Sequence, residues 1–180
     1  HLAVPAVLSI ALTAMIPGAA APQDSVEQQI RSALSAAPSS VAEHATVALA
    51  DGTILRQGSS DWVCLPDMPD VPGNSPMCLD GNWREVIDAL MNQRAPAFAG
   101  TGFSYMLQGD MPVSNTDPYA TGPTATNQWI QSGGPHIMVV FSDAAMLEGI
   151  STDPDNGGPF VMWKGTPYAH VMIPTVPRPE

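Results

Sequence analysis

Lysine is nearly missing from this chain of 180 residues. It occurs once, at Lys164, and Lys and Arg together number 6 against 17 Asp and Glu, for a formal net charge of -11. Proteins that grip nucleic acid do so largely through Lys and Arg on phosphates, so the deficit argues against a nucleic-acid partner. It argues equally against docking on anionic lipid. Cysteine is scarce too: only Cys64 and Cys78 are present, and there is no Cys-x-x-Cys. Structural zinc asks for about four Cys or His ligands at short spacings, so a single disulfide is the better reading, and it fits an exported protein. The bridge would close the Pro-rich segment 65–77, a link worth about 2–4 kcal/mol, mainly by restricting the unfolded chain. Gly-x-Ser-x-Gly, His-Glu-x-x-His and the P-loop pattern are all absent, so the hydrolase and phosphoryl-transfer signatures with known mechanics do not apply.

Turn-forming residues are plentiful instead. With 19 Pro and 15 Gly, long ordered loops are expected. Leu2 to Ile16 is an almost continuous apolar run followed by Pro17-Gly18-Ala19-Ala20-Ala21-Pro22, which matches the apolar region and small-residue cleavage site of a signal peptide. Residues 1–20 are therefore read as a leader cleaved after Ala20, with retention as an anchor helix the alternative. Residues 21–180 are long enough for one domain with a sizeable core.

Local patterns supply the elements. Ser25 looks like an N-cap, and Val26, Ile30, Ala33, Leu34 and Ala37 recur at helical spacing until Pro38. Residues 45–57 read as a hairpin whose Asp51-Gly52 turn has type I′ character, and residues 59–65 continue in extended form around Trp62. Asn82 and Glu85 stand at capping-box spacing before the stripe Trp83, Val86, Ile87, Leu90 and Met91, which predicts a helix ending near Arg94. Strands are expected at 103–108, 129–131, 136–141, 160–163 and 169–173, with a helical turn over 142–148 closed by Gly149. The expected class is α+β: a twisted, mostly antiparallel sheet with two or three helices packed on one face and one disulfide.

Two of these strands carry the same triplet, His136-Ile137-Met138 and His170-Val171-Met172. Side chains alternate along a strand, so within each triplet the His and the Met share a face. If the strands pair, two imidazoles and two thioethers meet on one surface. Soft thioethers select Cu(I), and imidazole binds copper readily. In its ligand types the pattern resembles the periplasmic copper chaperones that hold Cu(I) with two His and several Met. That resemblance implies copper as cofactor and His136, Met138, His170, Met172 and Met146 as metal ligands, with Met162 a further choice. The structural alternative is that the methionines fill core gaps and the histidines are core groups.

Other chemistry has less to stand on. His136 or His170 could act as a general base, oriented by Asp110, Asp117 or Asp143 with Ser104 or Tyr105 nearby, in an unrecognised secreted enzyme. Asp153-Pro154-Asp155-Asn156-Gly157 resembles part of an EF-hand loop but lacks the closing Glu, and Asn115-Thr116-Asp117 is likewise explained by Asx-turns. Trp129, Trp163 and Tyr168, with Tyr119, lie in Gly/Pro-rich surroundings and would suit partner anchors in a subunit docked on an envelope or membrane complex. The phrases 134–138 and 162–172 also resemble small secreted bacterial proteins, which implies export and brings no activity with it.

Overall fold

The computed structural model describes residues 25–177; the leader read at residues 1–20 lies outside them. No helix among the described residues is long and apolar enough to cross a membrane. In chain order the elements are α1 (Val26–Ser35), α2 (Ser39–Ala42), β1 (Thr46–Ala48), β2 (Ile54–Arg56), β3 (Val63–Leu65), β4 (Met77–Leu79), α3 (Gly81–Met91), β5 (Thr101–Met106), β6 (Val113–Ser114), β7 (Trp129–Ile130), β8 (His136–Phe141), a 3-10 turn (Ala144–Leu147), β9 (Phe160–Met162) and β10 (His170–Pro174). Eight strands form one sheet in the order β2-β1-β3-β4-β5-β8-β10-β9. Only β1 and β3 run parallel; the other pairings in this sheet are antiparallel. The class is α+β and mostly sheet, as the sequence predicts.

The helix starts follow from side-chain caps. Ser25 Oγ accepts from the Gln28 N–H at 3.3 Å, and Gln28 Oε1 accepts from the Ser25 N–H at 2.7 Å. This reciprocal box satisfies two donors that the first helical turn leaves unpaired. The start of α3 differs from expectation, since Asp80 caps it by accepting from Trp83 N at 2.8 Å. Asn82 instead spends its amide on the carbonyls of Ala99 and Thr101, and Glu85 pairs with Arg94 at 2.6 Å.

The hairpin is present but its turn is not type I′. That turn needs positive φ at both central residues, and here Gly52 has φ +87° while Asp51 does not join it. Asp51 Oδ1 accepts from Thr53 N at 2.9 Å, and Leu49 N donates to Thr53 O at 2.8 Å. The loop is therefore three residues long, with the glycine last.

Cys64 and Cys78 face each other across β3 and β4 and form the disulfide. They belong to a core layer with Val47 and with Ala33, Ala36 and Ala37 from α1 and the residues after it. Leu79, the next residue of β4, points the opposite way and packs with Trp83, Val86 and Ala89 of α3. The helices expected on one face thus divide between the two. The alternation of β4 assigns adjacent residues to different layers, so each helix finds its own apolar surface. Close seating of α3 depends on Gly102, where a Cβ would fall 2.7 Å from Asn82 Cβ.

Candidate functional site

The central strands of the sheet's second half bring the two triplets together. In the β8–β10 ladder Met138 lies directly opposite Met172, and His136 opposite Pro174. His170 lies two residues beyond Met172 at the other end, directly opposite Met162 of β9. On the far side of β8, Met106 of β5 stands opposite His136 and Ser104 opposite Met138. Directly opposed residues share a face. One face therefore carries two histidines, four methionines and a serine, with Phe160 opposite Met172.

This face is closed. Trp83, Val86 and Ala89 of α3 lie over it together with Ile130 and Trp163. Trp83 Nε1–H donates to the Met138 carbonyl at 3.2 Å. Trp163 has φ +56°, a left-handed conformation that is costly for a bulky residue. Its backbone N–H donates to Asn115 O and its Nε1–H to Ser114 O, both at 2.8 Å, so the β6 segment holds the ring inward. The indoles of Trp83 and Trp163 each meet the His170 ring edge-on at a centroid distance of 5.0 Å. Relative exposure is 0% for His136 and 1% for His170.

The protonation pattern of the two imidazoles follows from their partners. His136 Nδ1 lies 2.7 Å from Gly134 O, and His170 Nδ1 lies 2.9 Å from Tyr168 O. A carbonyl only accepts, so in both rings Nδ1 carries the hydrogen and Nε2 holds the lone pair. Both Nε2 atoms are buried without a hydrogen-bond partner, as is Ser104 Oγ. A buried polar atom left unsatisfied costs about 1–3 kcal/mol. Burial pushes the His170 imidazole down to about 4, against the Tyr168 carbonyl and with some help from nearby His136. It lowers His136 as well, against the Gly134 carbonyl. At neutral pH both rings are neutral donors of a lone pair.

Asp110 closes one end of the cluster. Its Oδ2 is 4.0 Å from His136 Nε2, and its side chain is 11% exposed against 1% for the histidine. Burial pushes this carboxyl up to about 7, opposed by the hydrogen bond from Met111 N. Asp110 is thus the polar group through which the face comes nearest to solvent.

Several residues singled out from the sequence lie elsewhere. Met146 is 58% exposed on the 3-10 turn, whose Leu147 packs with Val139, Val161 and Val171 on the opposite face of the sheet. It does not join the face that carries the two triplets, because the apolar side of that turn seats Leu147 and leaves its neighbour outside. Met162 takes its place beside His170. Trp163 and Tyr168 are core residues, at 9% and 5% exposure, so neither is a surface anchor. Tyr168 Oη donates to Arg94 O at 2.9 Å and shares a 2.8 Å bond with Tyr119 Oη. Trp129 is half-buried in β7.

Among the general-base partners, Asp117 accepts from Tyr119 N and Asp143 from Ala145 N, each at 2.9 Å. Tyr105 packs on the disulfide side with Trp62. The 153–157 loop is tied by its own turns, with Asp153 accepting from Asp155 N at 2.9 Å and Asn156 from Gly158 N at 2.7 Å. Among the described residues no group of three or more His, Cys, Asp or Glu gathers where it could hold a metal ion. No protein-family model, curated protein or solved structure matches this chain. Its chemistry has to be read from its own side chains.

The sequence reading missed Met106 and the covering role of Trp83. Met106 had a usable signal, since Ser104-Tyr105-Met106 alternates in the same way as the His-x-Met triplets. Trp83 was legible only as the first residue of a helical stripe.

Proposed function

We propose that this protein is a non-catalytic binding module for a soft monovalent cation, Cu(I), taken up on the face shared by β8 and β10. The ligands are drawn from His136, Met138, His170 and Met172, with the Met138–Met172 pair at the middle of the face and one histidine toward each end. One observation carries the reading: two fully buried imidazoles hold their Nδ1–H on backbone carbonyls and turn unpartnered Nε2 lone pairs onto a face where two thioethers stand directly opposite each other. Backbone fixing of the second ring nitrogen is the usual way a ligating histidine is oriented. Thioether and imidazole together favour Cu(I) over hard divalent ions.

The apolar cover supports the same reading. A weakly hydrated ion of low charge costs less to desolvate than a divalent one, and the indoles of Trp83 and Trp163, perpendicular to the His170 ring, are π systems of the kind that attract cations. The single disulfide and the apolar leader suit a protein that works outside the cytoplasm, where the cargo would be held or handed to an envelope partner.

The test is an anaerobic titration of the chain with Cu(I) against a chromophoric chelator. Competition at chelator concentrations that strip an exposed methionine is the expected result, with Zn(II) and Ca(II) leaving the protein unchanged. Equal retention of Zn(II), or no competition for Cu(I), would remove the assignment.

A further inference from the structure

Resting on that reading, the register points to more than one ion. We infer that the face takes two Cu(I) ions, one at each end, and that Met106 and Met162 are ligands paired with His136 and His170 respectively. Three soft-ligand pairs face each other directly across neighbouring strands: Met106 with His136, Met138 with Met172, and Met162 with His170. They run diagonally over four adjacent strands, β5, β8, β10 and β9. Every member is buried, the most exposed being Met138 at 7%.

The spacing separates the two histidines. His136 is level with Pro174, and His170 is four residues before Pro174 on the same strand. At about 3.3 Å per residue their Cα atoms stand about 13 Å apart along the strand direction. Their Nδ1 anchors, the carbonyls of Gly134 and Tyr168, lie still further outward on each strand, so the rings are held at the ends of the cluster. Metal–imidazole bonds are about 2 Å long, too short for one ion to serve both rings from those positions. Directly opposed side chains, by contrast, have Cβ atoms about 4.5–5.5 Å apart, which suits an ion between a thioether and an imidazole. Met138 and Met172, between the two ends, supply each ion with a further sulfur.

Each end also has its own means of bearing a positive charge. Beside His136 it is the Asp110 carboxylate at 4.0 Å. At His170 it is the π systems of two indoles that stand perpendicular to the imidazole at a centroid distance of 5.0 Å, rings that attract a cation lying over their faces.

The experiment is the Cu(I) titration carried to saturation on four forms of the chain: native, Met106→Leu, Met162→Leu and the double variant. Leu for Met roughly conserves volume, and far-UV circular dichroism with a melting curve confirms that each variant is folded. Two equivalents for the native chain, one for each single variant and none for the double variant under the same competitor is the expected pattern. One equivalent in the native chain, unaffected by either substitution, overturns the two-ion inference and leaves the binding function standing. Two equivalents retained in the double variant overturn the role of Met106 and Met162. No copper in the native chain overturns both the inference and the function.

Discussion

Replacing Met138 and Met172 together by Leu lowers Cu(I) affinity by more than about 100-fold and leaves the fold in place. Even outer-shell partners of metal ligands are worth about 10–100-fold in affinity, and here both central sulfurs are removed at once. The two side chains face each other across β8 and β10 and are buried at 7% and 1% exposure, so their replacement has to be argued as a packing change as well. Leu is close to Met in volume and as apolar, and such swaps usually cost less than about 1.5 kcal/mol. Neither sulfur is needed as a hydrogen-bond acceptor for the Trp83 indole, which donates to the Met138 backbone carbonyl. A variant with native circular dichroism and native Cu(I) affinity would refute the thioether ligands, whereas lost affinity with retained fold isolates the sulfur atoms as the cause.

Three buried groups, His170, His136 and Asp110, set how the stability of the metal-free protein responds to acid. His170 is held neutral with its pKa at about 4 by burial, against about 6.5 in an unfolded chain. A depressed histidine contributes stability that is full above the unfolded value and is lost as pH falls through the folded one. The loss from this group is about 3 kcal/mol between pH 6.5 and 4. His136, lowered for the same reason, adds to it. Asp110 has the opposite sign: its carboxyl is raised to about 7, so its contribution is present at low pH and is lost as pH rises from about 4 to 7. The groups facing these titrations are the Trp83 and Trp163 rings and His136 around His170, and Asp110 at His136.

Asp110 therefore offsets the loss at His170 over this interval. In Asp110→Asn that offset is gone, so chemical denaturation followed from pH 7 to 4 shows a steeper fall in stability than in the native chain, by about 4 kcal/mol over the interval. A parallel pair of curves would show that Asp110 is ionised or solvated in the folded state. The same shifts set the pH range of binding. Nε2 of His170 stays unprotonated well below the range where an exposed histidine fills, so Cu(I) at the His170 end is retained at pH 5 and released nearer pH 4.

Much of the architecture was legible because it is local. The stripe Val26, Ile30, Ala33 and the N-cap at Ser25 are written within one or two turns of helix, and the hairpin around Gly52 within a dozen residues. The identity of the α3 cap was less accessible. Asp80 and Asn82 are both good capping residues, and the choice falls to Asp80 because the Asn82 amide finds the carbonyls of the chain leading into β5.

The site divides along the same line. That His and Met share a face within each triplet follows from strand alternation alone. That Met138 meets Met172 while the histidines lie at opposite ends is a matter of nonlocal register, decided by the pairing of β8 with β5 and β10 after the 107–135 excursion. By sequence Met146 stood in the ligand set and Met162 was only a further choice. Leu147 turning toward Val139 and Val171 on the other face decided between them. Gly and Pro around Trp163 and Tyr168 suggested exposed loops, but the positive φ at Trp163 folds the indole back under β6, an effect that composition does not encode.

Cu(I) binding on this face depends on two buried imidazoles whose Nε2 atoms have no hydrogen-bond partner. Long-range proton–nitrogen NMR of the histidine rings, recorded on the chain before and after addition of Cu(I), reads those atoms directly. The account predicts that His136 and His170 both begin as the Nδ1–H tautomer, that both Nε2 resonances move on addition of Cu(I) while Nδ1 stays protonated, and that the exposed ring of His44 is unaffected. Nε2–H tautomers in the free protein, or Nε2 resonances that do not move at saturating Cu(I), would contradict it.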